Sequence, residues 1–203
     1  MLKIRRTTKG GGLKALEQQA KEAHGLVSDV GVTSKSNSVL PKKSEKDKPL
    51  TMAQLAQILE RGWVQRISAK QVGFFRHNFG ITLKRNNTLT LPPRPFLNLT
   101  AQKKMKKWVR IYINAVKGGY VPIKALSMAS QTAVEDVRET IDNGGVGGTR
   151  FKKRSPMTME LYRQKTQGIK VEEDAGYGTT TPLKAKGALR NSMAYLIHKR
   201  LGL

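Results

Sequence analysis

Apolar positions recur along this chain with two different periods, and the changes of period divide it into elements. Leu13, Leu16, Gln19, Ala20 and Ala23 fall at helical spacing in good helix formers and stop before Gly25, which predicts a helix over residues 13–22. Residues 26–33 are rich in β-branched side chains between glycine and serine, a strand signal. Met52, Leu55, Ile58 and Leu59 then share one face between Thr51, an N-cap residue, and Gly62, a stop, so 51–61 is predicted helical. Val72, Phe74, Phe75, Phe79 and Ile81 read as apolar strand pieces. Residues 80–91 nearly alternate around Asn86-Asn87, which predicts a two-stranded ribbon.

Prolines change the pattern next. Leu91-Pro92-Pro93-Arg94-Pro95-Phe96-Leu97 contains three residues with fixed φ and no N–H, so it cannot lie inside a sheet. It reads as a rigid bend that aims Phe96 and Leu97 at the core. Asn98 or Thr100 is the expected cap of a helix over 101–117, striped by Met105, Trp108, Val109, Tyr112, Ile113 and Val116. A second helix is expected over 122–142, antiparallel to the first across Gly118-Gly119. Residues 143–148 read as a flexible loop that continues through Lys152, Lys153 and Arg154. Ser155 and Pro156 open a short helix as N-cap and N1, and 167–180 reads as a polar loop. Near the end, Gly187 permits a tight turn, and Leu189, Asn191, Met193, Tyr195 and Ile197 alternate as a terminal strand that must join a sheet made upstream.

The predicted class is therefore α+β. A small, mainly antiparallel sheet is assembled from 26–33, the pieces between 72 and 91, and 189–197, with helices packed on one face and long basic loops or arms. A length of 203 residues with 38% hydrophobic and 6% aromatic content supports one modest core, hence a single domain over 1–203. Its appendages are a basic N-terminal arm (1–12) and two loops (34–49 and 143–154), expected to reach outward to neighbouring subunits.

Charge narrows the partners. Thirty-eight Lys and Arg against 14 Asp and Glu leave a formal +24, which repels itself on folding and points to an anionic partner or an acidic neighbouring subunit. There is no cysteine, and His24, His77 and His198 lack ligand spacing, so neither a disulfide framework nor a metal site is expected. No apolar run reaches the roughly 18 residues of a membrane span, and no signal peptide is legible, so synthesis in the cytoplasm is expected. Gly144 to Arg150 lacks the Gly-Lys-Ser/Thr ending of a phosphate loop and follows a helix. Glu172, Glu173 and Asp174 are contiguous and point different ways, and Ser192 and His198 have no supporting acid. No enzyme, cofactor or metal is expected.

Four motifs, in order, carry a resemblance. They are Glu60-Arg61-Gly62 after a helix; Pro93-Arg94-Pro95-Phe96-Leu97; Pro156-Met157-Thr158 before a basic residue; and Pro182-Leu183-x-x-x-Gly187-x-Leu189-Arg190-Asn191-Ser192. Together they resemble the signatures of the head-tail connector and tail-completion proteins of long-tailed bacteriophages, the virion morphogenesis group. Ala185-Lys186 stands where the usual form has Asp-Thr. The resemblance implies a structural protein of the virion neck, assembled in the host cytoplasm as a ring of six or twelve copies around the DNA channel. Its implied partners are portal or adaptor proteins on one side and tail-terminator or tail-tube proteins on the other, with no membrane. The motif residues would then be structural or interface positions. Lys103, Lys104, Lys106, Lys107, Lys152, Lys153 and Arg154 would be candidates to meet packaged DNA or an acidic partner. The charge alone also fits a basic nucleic-acid-binding scaffold of ribosomal type.

Overall fold

Two 22-residue helices, α4 (Phe96–Lys117) and α5 (Pro122–Asn143), run antiparallel through the centre of the computed structural model, which describes residues 12–40, 49–166, 183 and 187–200. Pro122 starts α5 at a position whose N–H would be unpaired anyway, and Gly144 ends it in the left-handed conformation, returning its N–H to Ile141. Along α5, Ala125, Ala129, Ala133, Val137 and Ile141 are buried at four-residue spacing. The three alanines let α4 and a strand pair approach the same helix closely from two sides.

That pair is β1 (Leu26–Val32) and β6 (Met193–Lys199), antiparallel from Leu26 opposite Lys199 to Val32 opposite Met193. It is tied to α5 by hydroxyls: Ser28 Oγ lies 2.6 Å from Ser130 Oγ, and Tyr195 Oη lies 2.8 Å from Ser127 Oγ. Helix α1 (Gly12–Ala23), where the 3.6-residue period predicted a helix, leads into β1 and packs on α5. Helix α2 (Met52–Arg61) is closed by a reciprocal cap in which Thr51 Oγ1 accepts from Gln54 N–H and Gln54 Oε1 accepts from Thr51 N–H. The core gathers Met52, Ala56, Phe96, Val134, Val137, Ile141, Phe151, Leu183, Leu189 and Met193.

The α+β class holds, and every described strand pair is antiparallel. The described strands form three separate two-stranded pairs, however, instead of one sheet. Residues 72–79, expected as strand pieces, belong to helix α3 (Ala69–Phe79), started by a second reciprocal cap between Ser68 and Gln71 and stopped by left-handed Gly80. Phe75 and Phe79, four residues apart, share a face of this helix, and the Phe74, Phe75 and Phe79 ring centroids lie 5.7 to 5.8 Å apart. The ribbon around Asn86-Asn87 is accordingly absent. Asn86 does turn the chain, at φ 69°, but the strand it delivers, β3 (Thr88–Leu91), pairs with β2 (Trp63–Arg66) across α3.

Three further expectations change. Helix α4 begins at Phe96, five residues before its expected start, so Thr100 is a buried helical residue whose hydroxyl meets that of Thr140 at 2.7 Å. Residues 145–150, expected as a flexible outward loop, form a tight hairpin of β4 (Gly145–Val146) and β5 (Thr149–Arg150) against α4 and α5, and Phe151 behind it is buried. Gly147 and Gly148 both have positive φ, the requirement of a two-residue hairpin turn. The terminal strand starts at Met193, not Leu189, because Ala188–Asn191 makes one helical turn, α7, closed by Ser192 Oγ donating to Leu189 O at 2.7 Å. Leu189 and Met193 reach the same core by either geometry, which is why alternation alone did not separate them.

In the other long loop, Val39 bridges Thr51 and Leu40 N–H donates to Leu50 O at 2.8 Å, so its described ends are fastened to the start of α2. The basic N-terminal stretch before residue 12, Glu172 to Asp174 and Pro182 lie outside the described residues.

Candidate functional site

The first two sequence motifs meet in space as one joint. Helix α4 has Pro95 at its N-cap, which offers no side-chain acceptor for the first helical amides. Glu60, near the end of α2, supplies it: Oε2 accepts from Leu97 N–H at 3.0 Å and Oε1 from Asn98 N–H at 2.8 Å. A carboxylate at a helix N-terminus also interacts favourably with the helix dipole. Two residues on, Gly62 has φ 76° and ψ 179°, a backbone state that favours glycine. A Cβ there would stand 2.8 Å from both Leu91 O and Pro93 N, so this glycine permits the close approach of the two segments. Arg94 N–H donates to Leu59 O at 2.9 Å, and Phe96, fully buried, enters the core below. Leu97 packs against that core from its edge.

The last motif reaches the same core by another route. Leu183 and Leu189 are buried in the cluster that holds Phe96, and Gly187 turns the chain at φ 63°. Arg190 Nε donates to Asp142 Oδ2 at 2.7 Å and so ties α7 to the end of α5. Pro156 and Thr158 stand apart from that cluster, at the start of α6 (Pro156–Thr166), where Ser155 Oγ accepts from Thr158 N–H.

Between the halves of the joint, residues 63–91 leave the body as an arm made of β2, α3 and β3. Among the described residues both strands pair only with each other, every residue of β2 is exposed, and α3 buries none of its side chains. Ile67, in the turn between them, is the arm's one buried apolar residue. Trp63, Val64 and Phe74 are exposed, and the chain carries no acidic residue between Glu60 and Glu135. This arm escaped sequence reasoning, although Ser68-x-x-Gln71 was its legible signal.

The candidate cationic contacts divide by environment. Lys104 and Lys107 converge on Asp136, which is only 5% exposed, with Nζ–Oδ1 distances of 3.7 and 2.9 Å, and Trp108 Nε1 donates to the same carboxylate at 2.7 Å. Burial pushes the Asp136 pKa up, but the Trp108 and Lys107 hydrogen bonds with the Lys107 and Lys104 charges outweigh it and hold it below the ordinary value. Lys103 lies along Gly147 of the hairpin; Lys103, Lys106, Lys152 and Lys153 are exposed, and Arg154 is buried. Ser192 Oγ donates to a backbone carbonyl, and His198 pairs loosely with exposed Asp29 at 3.6 Å. Among the described residues no helix is long and apolar enough to cross a membrane.

Comparison with protein families, curated proteins and solved structures finds no match to this chain. The functional reading therefore rests on residues and geometry.

Proposed function

We propose that this protein is a structural component of a tailed-phage neck, forming a ring that joins or completes the head-tail junction around the DNA channel. The observation that carries the reading is the joint. Glu60 and Gly62, from one motif that resembles the connector group's signatures, are bonded or packed against the backbone of the next such motif, residues 93–97, and of Asn98 beside it, and together they clamp the base of the arm.

The arm itself supports an assembled state. An isolated helix of 11 residues is marginal in water, and so is a lone two-stranded pair. With Phe74 55% exposed and no close packing of α3 on another described element, the arm gains order when a neighbouring subunit covers it. Contacts of that head-to-tail kind close into rings when the rotation permits. Exposed Lys103, Lys106, Lys152 and Lys153 then meet phosphate in the channel or acidic faces of adjoining rings.

Native mass spectrometry and electron microscopy of the purified chain, alone and with phage heads or tails, test this. A closed ring, or a monomer that assembles on those particles, is expected, and Phe74→Ser lowers the assembled fraction without changing the unfolding of the body. A chain that stays monomeric under every condition overturns the reading. Should that monomer also bind RNA tightly, the ribosomal-type scaffold takes its place.

A further inference from the structure

Helix α4 turns the wrong face outward for a surface helix. Met105, Val109 and Ile113, spaced four residues apart, remain 50%, 47% and 42% exposed. Met105 and Val109 of this ridge border a cleft of about 540 Å³ whose other walls include Trp108 and Tyr112 of α4 and Ala23 and Leu26 at the α1–β1 corner. Beside the ridge run cations: Lys106 and Arg110 follow Met105 and Val109 by one residue, so they form a parallel row about 100° further round the helix, and all are exposed. No acidic residue occurs anywhere in α4.

We infer that this cleft is a docking site for an acidic amphipathic helix of a partner protein, with its apolar edge in the cleft and its carboxylates against Lys106 and Arg110. A basic amphipathic face suits an acidic protein segment or an anionic surface, and shape and charge decide between them. The cleft is concave and fits a row of side chains, the geometry of helix-in-groove recognition, whereas a lipid surface needs a convex or flat face. Nucleic acid would meet the cations but leave Met105, Val109 and Ile113 without an apolar partner. A second copy brings mostly like charge, because the chain is at +24. The inference stands on the surface of α4 and does not depend on the connector reading.

The test uses the full chain and a labelled synthetic peptide about as long as α4, with leucines at helical spacing and glutamates beside them. Controls are a scrambled peptide of the same composition, duplex DNA, and phosphatidylcholine vesicles containing phosphatidylglycerol. Fluorescence anisotropy is expected to show the amphipathic peptide binding at least about tenfold more tightly than the scrambled one. Met105→Ser with Val109→Ser should remove that preference, and Lys106→Glu with Arg110→Glu should transfer it to a lysine-bearing peptide of the same pattern. Equal binding of the scrambled peptide overturns the inference by showing charge attraction alone. So does ridge-dependent binding of the vesicles or DNA in its place, or a fall in native mass of the serine variant showing that copies of the chain cover the ridge. Circular dichroism of each variant checks that these surface changes leave the fold intact.

Discussion

The joint around Glu60, Gly62 and Phe96 and the arm it clamps are neighbours in sequence and opposite in physics. In the joint, hydrogen bonds and contacts link residues 29 to 38 positions apart, and a methyl group has no room at Gly62. In the arm, the helix is ordered by local devices, the Ser68 cap, the Gly80 stop and three neighbouring phenylalanines, and its one longer-range tie is the pairing of residues 63–66 with 88–91. The body of this protein is therefore specified by burial. The arm is specified by caps and turns and left open on its outer side, so the two regions should answer differently to the same kind of change.

The largest effect is expected at the bottom of the joint. Phe96 has no exposed surface, and Phe96→Ala should destabilise the body by about 3–5 kcal/mol, read as a shift in the denaturant midpoint at constant slope. A cost below about 1 kcal/mol would mean that the core closes around the gap and that the joint is no more specified than the arm. Next comes Gly62→Ala, which forces a side chain into a glycine conformation and against two backbone atoms. A loss of about 3 kcal/mol is expected, with the arm displaced from its base.

Asp136 sharpens the comparison within the body. Its folded pKa is lowered, so the stability it contributes is present above an ordinary Asp pKa of about 3.9 and is lost as pH falls through the lowered value. Asp136→Asn should cost about 1–3 kcal/mol at pH 7, and the gap to the unchanged protein should narrow in acid. A gap that stays constant down to strong acid would assign the loss to shape and not to charge. The smallest effect belongs to a glycine inside the arm's helix. Gly73 in α3 has open space where a Cβ would go, so Gly73→Ala should raise the stability of that helix by about 0.5–1 kcal/mol, seen as slower amide exchange there and unchanged exchange in α5. The same glycine-to-alanine change thus has opposite signs at positions 62 and 73.

Much of the body was legible because its determinants are local or periodic. Thr51 as a cap, Gly62 as a stop, Pro156 at a helix start and the apolar period of α5 all act within a few residues, and each operates as expected. The arm shows the limit of apolar pattern alone. Five scattered apolar residues between 72 and 81 fit strands as well as a helix, and only the Ser68–Gln71 cap distinguishes the two.

Sequence by itself determined the class of fold, the strong helices and β1, the excess of positive charge and the inward role of Phe96, because these follow from composition, period and side-chain chemistry. Tertiary structure alone decided which strands pair, that α4 starts at Phe96 with Glu60 as its cap, and that the hairpin after α5 folds back. It also decided that Lys104 and Lys107 serve Asp136 while Met105, Val109 and Ile113 face outward. The reason is physical: a helical stripe records which residues prefer to be covered, but what covers them is set by segments elsewhere in the chain or by another molecule.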